Sequence, residues 1–496
     1  MKSNNRKTPI MGWASWNCFR TDINEKIMKE QIDALIGTGL SDCGYDYINM
    51  DDGFFGGRDE NGVLKIHSER FPNGVKVIAD YAHKKGLKAG IYSDAGDNTC
   101  GFYYDGEGKN GENAGLYGYE KQDLEMYLEE WGFDFIKVDW CGGVRLGLDE
   151  EEQYGKIGKI IDEIRERTGR TIVYNICRWQ FPGAWAAQVA DSWRTGADIV
   201  PNFKSVIHQI DNIKGLRKYC GPGHINDLDM MQLGNGMSEE EEKTHFAMWC
   251  MMSTPLMIGC DLTKISDSTL NILKNKELIE INQDSACLQA YAIKDFTDNS
   301  GELLGEIWIK DLGKKNSNKK AVAFLNRSDA PLDMELELSE AGLAGEIISV
   351  RDVCLHKDMP RENKIARRIN PRGAAVFVIE SENAEEVPDK YEEDISSAEE
   401  MRTITADEAK ELAQNGGYLV DVRERCEYDR AHLAGAINIP YMDIHAIAED
   451  FIKDKSAPVA VYCSTGKRSS QSYTSLKYLG YENLYYLGGV DLSEIK

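Results

Sequence analysis

The sequence predicts an α/β chain: a (β/α)8 TIM barrel, then an antiparallel β-sandwich, then a small α/β domain. Three observations carry that expectation. Up to residue 285, short hydrophobic runs alternate with helical stretches, and the conspicuous polar residues fall at the C-terminal ends of the runs. From residue 286 the pattern changes to short alternating runs such as Glu306-Ile307-Trp308-Ile309. Past an acidic stretch, strand and helix alternate again.

Taken in order, Trp13 and Trp16 follow the first run, and Asp51 and Asp52 end Tyr45–Met50. Tyr92, Ser93 and Asp94 end Leu87–Ile91, Asp139 ends Phe133–Val138, and Cys177, Arg178 and Trp179 end Thr171–Ile176. Trp193-Arg194 opens a loop reaching Asp198, Gly223–Asp229 follows, and the last run is Met248–Cys260. The steps from Asp51 to Tyr92, to Asp139 and to Cys177 are 41, 47 and 38 residues. Each holds a strand, a crossover helix and an elaborated loop, as repeated βα units require. Eight such units close into a barrel whose active site lies at the C-terminal strand ends.

The runs Glu306–Ile309, Ala321–Leu325 and Ala374–Val378 alternate as antiparallel strands do. From Glu380 to Glu400, ten of 21 residues are acidic against one Lys, the signature of a solvated, self-repelling linker. The expected domains are a barrel over 1–285, a sandwich over 286–380, a linker over 381–400 and an α/β domain over 401–496.

Composition narrows the function. At 496 residues the chain exceeds one average domain, and 42% hydrophobic residues support a large core. A net charge of −25 opposes nucleic acid and anionic membranes, leaving a neutral small molecule or glycan as the expected partner. No leader-like or membrane-spanning segment stands out, which reads as cytoplasmic. Twelve cysteines show no CxxC pairing, which disfavours structural zinc, and a reducing compartment would keep most as thiols. No cofactor is expected, and a homo-oligomer stays open.

In Phe133–Val138 and the residues after it, Lys137 and Asp139 alternate onto one face of a buried strand, where unpaired charge is costly. A structural salt bridge would explain them, and so would chemistry. The strand ends together offer Trp16, Asp51, Asp52, Tyr92, Lys137, Asp139, Arg178, Trp179, Arg194, Asp198 and Asp229. Carboxylates accept bonds from vicinal hydroxyls and an aromatic face covers the C–H side of a sugar ring. Clustered carboxylates can also hold a metal, but Lys137 and Arg194 would repel a cation.

Six motifs in order, Met11–Asn17, Asp51-Asp52-Gly53, Ile91–Gly96, Lys137-Val138-Asp139 with Cys141, Trp193-Arg194-Thr195 through Asp198, and Asn226–Met230, resemble glycoside hydrolase family 27, the α-galactosidases and α-N-acetylgalactosaminidases. The resemblance spans roughly residues 8 to 380. It implies a retaining exo-glycosidase acting on terminal α-galactosides. Asp139 matches the nucleophile and Asp198 the acid/base, their carboxyls about 5–5.5 Å apart. Lys137 and Arg194 are expected to keep Asp139 ionised, while Asp198 must carry a proton. Asp51 and Asp52 match ligands of the 4- and 6-hydroxyls, Lys137 of the 3- and 4-hydroxyls, and Trp16 the ring face; Tyr92, Cys177, Trp179, Arg194 and Asp229 complete the substrate site. Arg178 stands where these galactosidases commonly carry Glu, at the position that reads C2, so galactose, N-acetylgalactosamine and arabinopyranose remain open, with Phe181 weighing against an N-acetyl group. Cys100 and Cys141 fall where a disulfide usually braces the loops. Gly53 and Ala190 replace other cysteine partners, leaving Cys177 unpaired.

Cys463-Ser464-Thr465-Gly466-Lys467-Arg468-Ser469 follows a hydrophobic strand and enters a helical run. Backbone amides at such a helix start, with Arg468, favour a nucleophilic thiolate over an inert buried thiol. With Asp421-Val422-Arg423, His432–Pro440 and Leu487-Gly488-Gly489, this segment resembles a rhodanese domain. Four residues between Cys463 and Arg468 match the loop of sulfurtransferases, where phosphatases of the same kind use five. The resemblance implies sulfur relay or redox sensing at Cys463, with docking as the competing role.

Overall fold

The structure, a computed structural model, describes residues 7–391, 402–423, 425–441, 444–464 and 467–490. They form two compact units, Met1–Glu393 and Asp394–Lys496.

The first unit opens with eight short parallel strands: β1 Met11–Ala14, β2 Tyr47–Asn49, β3 Lys88–Asp94, β4 Phe135–Asp139, β5 Val173–Ile176, β6 Ser192–Arg194, β7 Ile225–Asp227 and β8 Leu256–Ile258. They pair in chain order, β1 pairs β8, and a bridge from Met231 to Ile258 brings the end of β7 to β8. The sheet thus closes as the (β/α)8 pattern requires. Closure demands close backbone approach: a Cβ on Gly12 would meet the Tyr47 carbonyl oxygen at 2.2 Å, so only glycine fits. Ala14, Tyr47, Phe135, Val173, Met230 and Met257 fill the interior, and Trp16 packs on them.

The helices start where the sequence caps them. Glu150–Thr168 begins behind Asp149, whose carboxylate accepts the Glu152 amide, carries three Glu in its first turn and stops at Gly169, φ 68°. Glu239–Met252 carries a Ser238/Glu241 capping box. Two runs differ from expectation. Trp193-Arg194 belongs to strand β6 rather than opening a loop, and Met248–Cys260 splits into the end of a buried helix and strand β8. Both segments are buried on all sides, so periodicity could not separate helix from strand.

The sandwich comprises β9 Tyr291–Thr297, β10 Leu303–Asp311, β11 Lys319–Asn326, β12 Leu332–Glu337, β13 Leu343–Asp352, β14 Lys357–Asp358, β15 Lys364–Ile369 and β16 Ala374–Ala384. One antiparallel sheet runs β9-β10-β11-β16-β13-β14, and β12-β15 forms a second pair. The boundary expected at residue 380 is corrected: β16 continues to Ala384, Tyr291 donates to the Val387 carbonyl at 3.0 Å, and Lys390 pairs with Asp295 at 2.6 Å. The acidic residues up to 391 therefore belong to the sheet and its edge; residues 392–400 of the expected linker lie outside the described residues. Barrel and sandwich meet across a buried ring of charges. Lys214 bridges Asp211 at 2.8 Å and Glu306 at 2.7 Å, and Arg327 pairs with the same two acids.

Among the described residues, the second unit has four parallel strands, β17 Tyr418–Asp421, β18 Ala436–Asn438, β19 Val459–Cys463 and β20 Leu484–Gly489, ordered β18-β17-β19-β20. Apolar clusters cover both sheet faces, as buried parallel sheets need. Among the described residues, no helix is long and apolar enough to cross a membrane.

Candidate active site

Beneath the barrel's C-terminal strand ends lies a small cavity of about 40 Å³, lined by Asp51, Lys137, Asn175, Arg194, Asp227 and Asp229 among others.

β4 delivers Lys137, partly buried, and Asp139, buried. Lys137 Nζ lies 3.0 Å from Asp51 and 3.8 Å from Asp139, and 5.4 Å from the Tyr92 ring centre. Burial works against its charge, but Asp139 and Asp51 outweigh that and hold the ammonium well above its usual range. Asp139 Oδ1 accepts no hydrogen bond, and Oδ2 lies 3.2 Å from Cys100 Sγ. Burial pushes the Asp139 carboxyl well above the usual carboxylate range, against the pull of Lys137. The expected division of charge is therefore corrected. Arg194 does not pair with Asp139; it bridges Asp229 at 2.7 Å and Asp198 at 3.2 Å.

Asp51 and Asp52 follow β2. The Asp51 amide donates to Ser15 Oγ at 3.0 Å, and the Asp52 carboxylate accepts the Gly53 and Gly101 amides, each at 2.7 Å. Burial raises Asp52 to about 7. Trp16 is half-buried, with the Arg20 guanidinium 4.4 Å over its ring. Tyr92 is buried and accepts the Cys100 amide at 3.1 Å.

Cys100 and Cys141 are joined by a disulfide, tying helix Cys100–Tyr104 to helix Cys141–Leu146. A disulfide sulfur carries no proton, so Cys100 donates nothing to Asp139. Asp94, which the sequence placed at a strand end without a role, organises the same loops: it accepts the Gly96 and Cys141 amides at 2.7 Å each and that of Gly142 at 3.0 Å. Asp94, Cys100 and Cys141 lie close enough together for a metal ion, but the bonded sulfurs and the occupied carboxylate leave no ligand set.

Cys177 follows β5, a buried thiol 3.7 Å from Arg194 Nη1. Arg178 is buried and pairs with Glu150, the first residue of its helix, while its Nε and Nη1 have no partner. Glu150 escaped the sequence reading because nothing local links it to Arg178. Trp179 sits at φ 62°, a conformation rare for a bulky residue. Asp198 is the exposed member, its side chain 47% accessible, on the loop after β6.

In the second unit, Cys463 ends β19, buried, and accepts the Ser469 amide at 3.4 Å. Arg468 corrects the expectation placed on it. Its guanidinium pairs with Glu427 at 2.5 and 2.9 Å and donates to Ser464 Oγ at 3.0 Å, so its charge is largely compensated. Thr465 and Gly466 lie outside the described residues, and the helix that follows spans Lys467–Tyr478.

Residues 8–284 match the family described as Alpha galactosidase A, and 305–379 that described as Alpha galactosidase C-terminal beta sandwich domain. Residues 405–491 match the Rhodanese-like domain. Alpha-galactosidase A of Cellvibrio japonicus is 42% identical over 346 residues, 67% of this chain and 79% of that protein. Alpha-galactosidase of Oryza sativa is 36% identical over 378 residues, 75% of this chain and 85% of its own length. Among solved structures, α-galactosidase I of Mortierella vinacea superposes with a TM-score of 0.66 at 28% identity, covering 76% of this chain and 98% of that one. The chain is thus a glycoside hydrolase that belongs to the α-galactosidase family, glycoside hydrolase family 27, with a rhodanese-like domain following its catalytic barrel and sandwich.

Proposed function

We propose that the barrel hydrolyses terminal α-D-galactosyl residues of oligosaccharides or glycoconjugates with retention, Asp139 acting as nucleophile and Asp198 as acid/base. The observation that carries this is the contrast between the two acids. Asp139 is buried beside Lys137 with an oxygen free of hydrogen bonds, and Asp198 is exposed on the facing loop, held by Arg194. Asp139 attacks C1 while the glycosidic oxygen takes the Asp198 proton and departs as the alcohol. Water then gives its proton to Asp198 and its oxygen to C1, and the Asp139 ester bond breaks. Asp51, Asp52 and Lys137 bind hydroxyls, and Trp16 covers the ring. The names of the Cellvibrio, rice and Mortierella relatives support the galactoside.

Asp139→Asn is expected to lower kcat for 4-nitrophenyl α-galactoside by at least about 10³-fold, and full activity would overturn the mechanism. The sugar is decided by running α-galactoside, α-N-acetylgalactosaminide and β-L-arabinopyranoside side by side, since Arg178 sits where C2 is read. For the second unit the proposal is sulfur transfer at Cys463, supported by the Ser469 amide aimed at its sulfur. Thiocyanate formation with thiosulfate or a persulfide as sulfur donor and cyanide as acceptor, lost in Cys463→Ser, tests it; no turnover would leave docking.

A further inference from the structure

Asp229 was expected to contact substrate, but its carboxylate faces the protein. Oδ1 accepts the Met230 amide at 2.7 Å, and Oδ2 accepts the Ile199 amide at 2.9 Å and pairs with Arg194 at 2.7 Å. That fills about three of the four lone-pair sites of a carboxylate. Its backbone sits at φ 79°, a left-handed conformation that costs energy for a residue with a side chain and is cheapest for Asn or Asp. Ile199 is the neighbour of Asp198, and Arg194 ends β6 immediately before the same loop. Asp229 therefore grips the loop on both sides of the acid it presents.

Arg194 is shared. Its Nη2 meets Asp229 more closely than Asp198, and it also donates to the carbonyls of Gly196 and Ala197, at 3.1 and 2.8 Å. An acid/base paired exclusively with a guanidinium would be held ionised and would protonate a leaving group poorly. A second carboxylate on the same guanidinium counters this. The charged and titratable groups facing Asp198 are Lys137 and Asp139 from β4, Cys177 after β5, Arg194 from β6 and Asp229 after β7, with Asp227 behind Asp229. Only Arg194 touches both Asp198 and Asp229 in this set.

We infer that Asp229 is a positioning residue for proton donation: by holding the Ile199 amide and engaging Arg194, it fixes the Asp198 loop and prevents an exclusive Arg194–Asp198 ion pair. The inference rests on the reading of Asp198 as acid/base.

The test is Asp229→Asn, which keeps an acceptor for the Ile199 amide and suits the backbone conformation, with kcat/KM followed against pH on two substrates. On methyl α-galactoside, whose leaving group needs a proton, the expected loss is about tenfold or more, with the basic limb displaced about one pH unit downward. On 2,4-dinitrophenyl α-galactoside, which leaves without one, the loss is expected to be under about threefold. Equal losses on both substrates with an unmoved basic limb would overturn the inference. If the Asn variant fails to fold, Asp229→Gly, also at ease at this φ, removes the Ile199 contact as well and is expected to lose at least as much on methyl α-galactoside with the same downward displacement of the basic limb. Asp198→Ala in the same assay separates the two layers: absence of any leaving-group dependence there would sink the acid/base reading itself.

Discussion

At Asp139 two forces oppose each other, and burial wins over Lys137. The nucleophile must be ionised to attack, so the acidic limb of kcat/KM is expected well above the ordinary carboxylate range near 4. Lys137→Met removes the opposing attraction. Proton affinity at Asp139 then rises, and the limb moves to higher pH, as a pH–rate profile would show; a downward shift would contradict the account. Arg178 makes the converse case, a buried cation with one acidic partner. Glu150→Ala strands it and is expected to cost about 3 kcal/mol in a denaturant titration, with Glu150→Gln milder. The individual acids at the strand ends were legible because strand, carboxylate and aromatic recur together. Their partners were not: Arg194 joining Asp229, Glu150 reaching Arg178 and Glu427 covering Arg468 are set by loops far apart in sequence, to which no local pattern points.

Helix Cys100–Tyr104 and helix Cys141–Leu146 are short and carry the loops around Asp139. Their disulfide spans 41 residues, and closing a loop of that length is worth about 3–4 kcal/mol on the chain-entropy model. Cys100→Ser with Cys141→Ser, or reduction by dithiothreitol, is expected to lower denaturant stability by about that amount at equal galactosidase fold. An unchanged midpoint would show that Asp94 and its three amides hold these helices alone. The strand order of the barrel was legible because each βα unit has its own period, while the short β6 and β8 were not, since both are buried on every side. The acidic stretch misled for a related reason: charge count hid that Ser381 is buried within β16 and Asp389 is buried beyond it.

The whole chain therefore divides later than its charge pattern implied. A chain ending at residue 391 is expected to keep full glycosidase activity, whereas one ending at 380 loses the end of β16 and the Lys390–Asp295 and Tyr291–Val387 contacts and should aggregate or melt early. Size-exclusion chromatography and activity of both would check this. The charged ring of Asp211, Lys214, Glu306 and Arg327 has a consequence for anyone recombining such proteins. Asp211 closes the helix Phe203–Asn212 that follows the Asp198 loop, so half of the ring is encoded in the barrel and half in the sandwich. A transplanted sandwich without counterparts of Glu306 and Arg327 would leave Asp211 and Lys214 with only each other, a buried charge pair stripped of half its partners beside the helix that follows the catalytic loop. For chimaeras and directed evolution, the exchangeable cassette in this chain is barrel and sandwich together, never the barrel alone.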